Sequence, residues 1–489
     1  MVKDKRRQLI DSVVTISILV LTIGYGLIVR PVVWQQPQLP LEIIFLLSAI
    51  ASISYLLAIG HQWSQILERI TAKLAQALPT LLILFAIGLL IASWMIAGTI
   101  PYLVYYGLTI ISAEHIYLVA FITPVFFSLC TGTSWGSIAT IGLVLISVAN
   151  VINADLAITT GAIVGGAYFG DKLSPLSDTT NIAAIAVNID VYQHIESMLV
   201  TTVPSAVLAC LGFVLLDVIY PANIINIASS DLRTVDILTQ TLNGIEQLFS
   251  LNILLLIPPV IVLIGAIRKV AALPTLILSS IAACILALVF QEVTLSAVFQ
   301  TLYQGFDINM LTNSSTQLPD PLDGLFNRGG LYALNTPIII VILVFIYLGA
   351  LDCINAIPTV INHVLDKISS QAALISTTLI ASGVVNALTS SQYANSFVVG
   401  ESFKTKYDQC KLPRKVLSRS LEDTGTMIES LIPWSTTSVF VYASLNVAIQ
   451  DYWRWQLLSL INIAIAFLFA WCGIGYFQQT TKKDELPNG

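Results

Sequence analysis

Apolar residues in this chain come in runs of about 17 to 25, the length a helix needs to cross a bilayer, and not in the alternation of a barrel strand. Ten such runs predict crossing helices near 10–30, 41–60, 78–98, 160–184, 195–217, 250–267, 271–290, 337–356, 425–446 and 454–477. Two further apolar segments, 113–148 and 371–400, are interrupted by small polar residues and read as re-entrant hairpins or broken helices. If the hairpins cross, the count becomes twelve. The first run follows a charged start and lacks a small-x-small cleavage site, so it reads as a span and not as a signal peptide.

Composition agrees with this pattern. Of 489 residues, 56% are apolar and 10% charged, against about 25% charged in soluble domains. So little polar surface cannot keep a folded chain in water, which makes the lipid bilayer its first partner. The six cysteines are scattered without a CxxC spacing and read as small apolar packing residues. No basic patch with interleaved aromatics points to nucleic acid. No G-x-x-x-x-G-K-[ST] run binds nucleotide, and no cofactor is implied. A homodimer is left open.

Orientation follows from lysine and arginine. Lys3, Lys5, Arg6 and Arg7 put the N-terminus in the cytoplasm, and Arg69 and Lys73, then Arg268 and Lys269, fall on that side again. The segment 402–420 reads as a cytoplasmic loop with six basic residues, and Lys482 and Lys483 close the chain inside. Loops 218–249 and 291–336, with Arg233 and Arg328, then lie outside.

Shifting the chain by 258 residues aligns three separated blocks. Pro79 meets Pro337; Thr131–Gly136 meets Thr389–Ala394; Asp171–Ser177 meets Glu429–Ser435, with Thr179 on Thr437. The basic segment 402–419 has a counterpart, 144–161, with no basic residue, so the two copies read as inverted. The predicted fold is therefore an all-α polytopic membrane protein of two inverted repeats, with about ten crossings, two re-entrant hairpins and helices broken at the midplane. Its parts are N-terminal spans at 1–60, repeat one at 70–220, further spans at 250–290 and repeat two at 330–478. Two equivalent halves that exchange conformations are a transporter's architecture.

The strongest local signal is Gly170–Asn181, a polar stretch containing Pro175 inside an apolar run. A continuous helix does not tolerate it, and a broken helix turns carbonyls and helix ends towards a cavity. Asp171 and Asp178 supply charge; Ser177, Thr179, Thr180 and Asn181 supply neutral oxygens, the donors a hard cation such as sodium takes. The symmetric break brings Glu429, Ser435 and Thr437, and the first hairpin tip brings Thr131, Thr133 and Ser134. The second tip runs from Thr389 to Gln392, with Asn386 and Asn395 nearby. Buried carboxylates in lipid are functional by default, although Asp171 could instead serve the fold by pairing with Lys172. For Glu422 and Asp423, a gate pair with Arg419 competes with ligation. Asp352 reads equally as ligand or solvated helix end, and Lys172 as a counter-charge. His61, His115, His194 and His363 read as interfacial, solvated residues.

The stretch GAYFGDKLSPLSDTTNIAA, Gly166 to Ala184, resembles the diagnostic motif of the NhaC family of sodium/proton antiporters. TGTSWG at Thr131 resembles that family's first hairpin tip, and LSRSLEDTGTMIESLIPWSTT, Leu417 to Thr437, its second-half motif. The resemblance implies exchange of sodium for protons in a prokaryotic inner membrane and no enzymatic step, and the carboxylates of the first break place sodium at Asp171 and Asp178. The chain departs from the family pattern at Ser391, Glu429 and Ser435, where an acid, a small hydroxyl residue and Asn are usual. The family also includes exchangers of organic acids and amino acids, which supplies the alternative substrate.

Overall fold

The computed structural model describes residues 2–110, 113–222, 242–268, 270–311, 327, 329–365, 368 and 370–477. Arg233, Lys269, Arg328, Lys482 and Lys483, used above for orientation, lie outside the described residues, as does much of loops 218–249 and 291–336.

The described residues are all helical, without a strand. The chain opens with α1 (Val2–Ile23), which runs on as a π-wound stretch, Gly24–Val33. Next come α2 (Leu41–Ala58), α3 (Trp63–Ile96) and α4 (Thr99–Ile110). The first hairpin is α5 (Ile116–Thr131) and α6 (Ser134–Val151). Then follow α7 (Leu156–Leu173), α8 (Asp178–Ala186) and α9 (Val191–Ile219). After α10 (Ile257–Ile267), α11 (Ala272–Phe290) and α12 (Leu295–Gln304) come α13 (Asn335–Cys353) and α14 (Ala356–Leu365). The second hairpin is α15 (Gln371–Thr389) and α16 (Gln392–Gln409). The chain then passes through α17 (Arg414–Ser420), a π-wound stretch Leu421–Thr426, α18 (Thr436–Leu445) and α19 (Leu457–Cys472). Among the described residues, eight helices are long and apolar enough to cross a membrane, or up to ten if each of two bent pairs counts once. The hairpin arms α6 and α15 are among the eight.

Exposed apolar stripes complete the case for a multi-pass membrane protein. On α11, Leu278, Ile281, Ile285 and Val289 repeat at helical spacing and are all more than half exposed. Such a stripe is stable out of water, and along a helix of spanning length lipid covers it. Inside, α5 packs along α7, and small residues set the distance. A Cβ on Gly166 would collide with the Phe121 carbonyl, and one on Gly170 would lie 2.5 Å from the Val125 carbonyl oxygen. This G-x-x-x-G face lets two backbones touch where lipid gives no hydrophobic drive to associate. The N-terminus of α5 is capped from another helix, because Asp217 of α9 accepts from the Tyr117 and Leu118 amides at 2.9 and 3.1 Å.

Local backbone geometry recurs at the offset seen in the sequence. Three pairs of residues in the left-handed region stand 258 apart: Gly132 and Ser390 (390 − 132), Asn153 and Lys411 (411 − 153), Asn188 and Asn446 (446 − 188). Helix caps repeat likewise. Thr133 accepts from the Gly136 amide as Ser391 does from Ala394, and Ser177 caps Thr180 as Ser435 caps Ser438.

Two expectations change. Residues 402–420 are not a loop: α16 continues to Gln409, Lys411 turns the chain at φ 55°, and α17 starts after Pro413. Lysine and glutamine are good helix formers, so a basic stretch needs no loop. At that turn the Arg414 guanidinium holds the Asp408 carboxyl below the usual carboxylate range. His194 is not solvated; it is fully buried in the first turn of α9, 2.8 Å from Ser418 Oγ. Glu422 and Asp423, read as gate pair or ligands, are 0% and 1% exposed.

Candidate functional site

Two helix breaks and two hairpin tips meet at one cavity of about 640 Å³. The first break lies between α7 and α8, where Ser174–Ser177 leaves the helical path through Pro175. Asp171 sits in the last turn before it and Asp178 in the first turn after it. The second break separates the helical turn Met427–Glu429 from α18 and contains Pro433. The tips are the left-handed turns at Gly132 and Ser390.

Each tip is tied to the break of its own half. Ser134 Oγ donates to Asp171 Oδ2 at 2.7 Å, and Ser174 Oγ to the Leu129 carbonyl at 3.0 Å. Thr436 Oγ1 donates to the Ser390 carbonyl at 3.0 Å and approaches Glu429 Oε1 at 3.4 Å. Asp171 is 5% exposed, and its Oδ1 is buried without a hydrogen bond. An orphaned carboxylate oxygen beside hydroxyls is a donor set of oxygens alone, which suits a hard monovalent cation passing through as cargo.

Of the residues singled out in the sequence, Thr133, Ser134, Asp171, Asp178, Thr179, Asp352, Glu429, Thr437 and the second tip, Thr389 to Gln392, line the cavity. Others brace it from behind. Ser177 and Ser435 are helix caps, and the Ser435 hydroxyl also donates to the Glu429 carbonyl. Thr180 Oγ1 donates to the Asp171 carbonyl at 3.1 Å. Asn181 Nδ2 holds the carbonyls of Pro175 and Ser177 at 2.9 and 2.6 Å. Thr131 Oγ1 is buried without a hydrogen bond.

Lys172 does not pair with Asp171. It reaches Asp423 Oδ1 at 3.0 Å, with both side chains 1% exposed. Asp423 Oδ1 also accepts from Thr201 at 2.8 Å and Asn462 at 3.1 Å, while Arg419 stands 3.7 Å from Oδ2. Glu422 is separate from these cations, accepting from Thr426 Oγ1 and, at 3.4 Å, from Gln392 Nε2. Both donors line the cavity, so Glu422 stands one hydrogen bond behind its wall. Asp352 closes an ion pair with Lys73 at 3.3 Å, both on the cavity wall.

The sequence reading missed Trp135, Tyr168, Tyr393 and Thr436, which also line the cavity. The signal was present for two of them, since Trp135 and Tyr393 coincide at the 258-residue offset (393 − 135). They read as packing because an aromatic in an apolar segment carries no mark of its hydrogen-bond partner.

Carboxylates, hydroxyls and broken helices around one cavity in a multi-pass helical protein define a membrane carrier of small charged solutes. Residues 166–474 match the Na+/H+ antiporter family. An uncharacterized Na+/H+ antiporter of Haemophilus influenzae is 36% identical, over 95% of each chain. The Na+/H+ antiporter NhaC of Alkalihalophilus pseudofirmus is 32% identical over 93% of each, and the malate-2H+/Na+-lactate antiporter of Bacillus subtilis 29% over 92% of this chain and 93% of its own. The chain therefore belongs to the Na+/H+ antiporter family, whose members are transporters and not enzymes.

Proposed function

We propose that this chain expels sodium in exchange for protons across a prokaryotic inner membrane by alternating access, with both termini cytoplasmic. The observation that carries the reading is the cavity wall, which joins both tips and both breaks and holds four carboxylates (Asp171, Asp178, Asp352, Glu429) against one lysine, Lys73. Such a lining concentrates cations. Asp171 and Asp178, with Glu429 assisting, hold either sodium or protons. A protonated carboxyl loses its grip on sodium, and bound sodium drives the proton off. Repeats 70–220 and 330–478, inverted about the cavity, swing it from one side to the other when loaded, and Glu422, Asp423 and Arg419 form the gate. Lys73 lines the cavity and is one of the basic residues that assign their side to the cytoplasm, so in this reading the cavity is open to the cytoplasm.

The test uses everted vesicles from cells lacking their own antiporters, with a dye reporting the proton gradient. Sodium alone restores the dye signal, and Asp171→Asn or Asp178→Asn abolishes the recovery. Sodium without effect would sink the reading.

A second reading has support in the cavity's size. At about 640 Å³ it lies within the roughly 300–1,000 Å³ of small-molecule sites, far beyond one ion. An organic acid or amino acid exchanged with sodium or protons would fill it, as the name of the Bacillus subtilis relative says of that protein. Dye recovery that requires such a solute favours this reading.

A further inference from the structure

Each hairpin tip also reaches across to the break of the other half. Trp135 Nε1 donates to Thr437 Oγ1 at 3.2 Å, and the Tyr393 hydroxyl donates to Asp178 Oδ2 at 2.5 Å. The two donors stand 258 residues apart (393 − 135). Their acceptors fall within one residue of the same register, since Asp178 shifted by 258 is Thr436, beside Thr437. The braces match in place and differ in chemistry. Thr437 is a neutral hydroxyl, and its partner Trp135 is further fixed by stacking on Phe440, with centroids 4.3 Å apart. Asp178 is a carboxylate facing the cavity, and among the described residues no ring stacks on Tyr393, which is 42% exposed.

We propose that Tyr393 is a positioning residue for ion exchange, a latch that its hydroxyl closes on Asp178 when the site holds no sodium and that sodium opens. The inference rests on Asp178 being an ion ligand. The hydroxyl proton points at the carboxylate oxygen that a cation needs, so phenol and sodium compete for it. Loading the first half thus frees the hairpin tip of the second half, and unloading recaptures it. The Trp135 brace, with a neutral acceptor, does not sense the ion.

Tyr393→Phe removes one oxygen and keeps the ring. Loss of a charge-assisted competitor, discounted for its exposure, lowers the KM for sodium about threefold or more, and turnover falls because the tip is no longer recaptured. A merely structural defect lowers turnover or yield without tightening sodium binding. Trp135→Phe lowers turnover without lowering the KM. Sodium-dependent thermal stabilisation of the purified protein reads the affinity without turnover, and Tyr393→Phe reaches half-effect at about threefold less sodium. An unchanged KM in Tyr393→Phe, while Asp178→Asn is inactive, overturns the latch and leaves the antiport reading standing. An equal KM fall in Trp135→Phe overturns it too. A wild-type protein without sodium-driven recovery removes both readings.

Discussion

Asp423 lies between two cations, Lys172 at 3.0 Å and Arg419 at 3.7 Å, in a region with almost no solvent. Removing one partner of a buried pair strands the other charge, at a cost of about 3–5 kcal/mol. Lys172→Met should therefore lower the thermal unfolding midpoint of purified protein strongly, whereas Lys415→Met, breaking a more exposed pair with Glu196, should shift it little. The sequence showed Lys172 as a counter-charge because a lysine beside a helix break in an apolar run has few other uses. It could not show which acid, because Asp171 is adjacent in sequence while Asp423 is 251 residues away. His194 was misread for the same reason: its partner, Ser418, comes from a distant helix.

Helix breaks were the most legible elements. Pro175 and the acids around it, and Pro433 with Glu429, interrupt apolar runs in a way no single helix accommodates. Less legible was the division of labour inside them. A serine near a break can cap a helix or bind an ion, and only coordinates showed Ser177 and Ser435 as caps. Ser177→Ala should thus cost about 1 kcal/mol of stability and leave the sodium KM within about twofold, while Ser177→Asn restores the stability; unfolding and dye assays separate the two. The length of α3 was also hidden, since it begins at Trp63, well before the apolar run. Its early turns carry Glu68, Arg69 and Lys73, which hydropathy reads as loop and helix propensity does not. At the α5–α7 seam, Gly166→Leu should prevent close packing and sharply reduce the yield of folded protein, measured by size-exclusion chromatography.

For the whole molecule, the 258-residue offset was legible as sequence and recurs as backbone geometry, in left-handed turns at positions where the two copies carry different residues, such as Asn153 and Lys411. The turn persists where the side chain does not. Orientation makes a direct prediction. On the proposed orientation, a single reactive cysteine at Gln76→Cys, in a background free of all six native cysteines, should react with an impermeant thiol reagent in everted vesicles and not in intact cells. The reverse pattern would place the opening on the other side.

The first break carries one acid on each flank, Asp171 and Asp178. On the proposed exchange, were both to give up a proton for each sodium accepted, the cycle would move one net positive charge inward. Such a charge feels the membrane voltage, at about 2.3 kcal/mol per 100 mV. A cell poised in alkaline surroundings, with no inward proton gradient left, could still drive sodium out on its electrical potential alone.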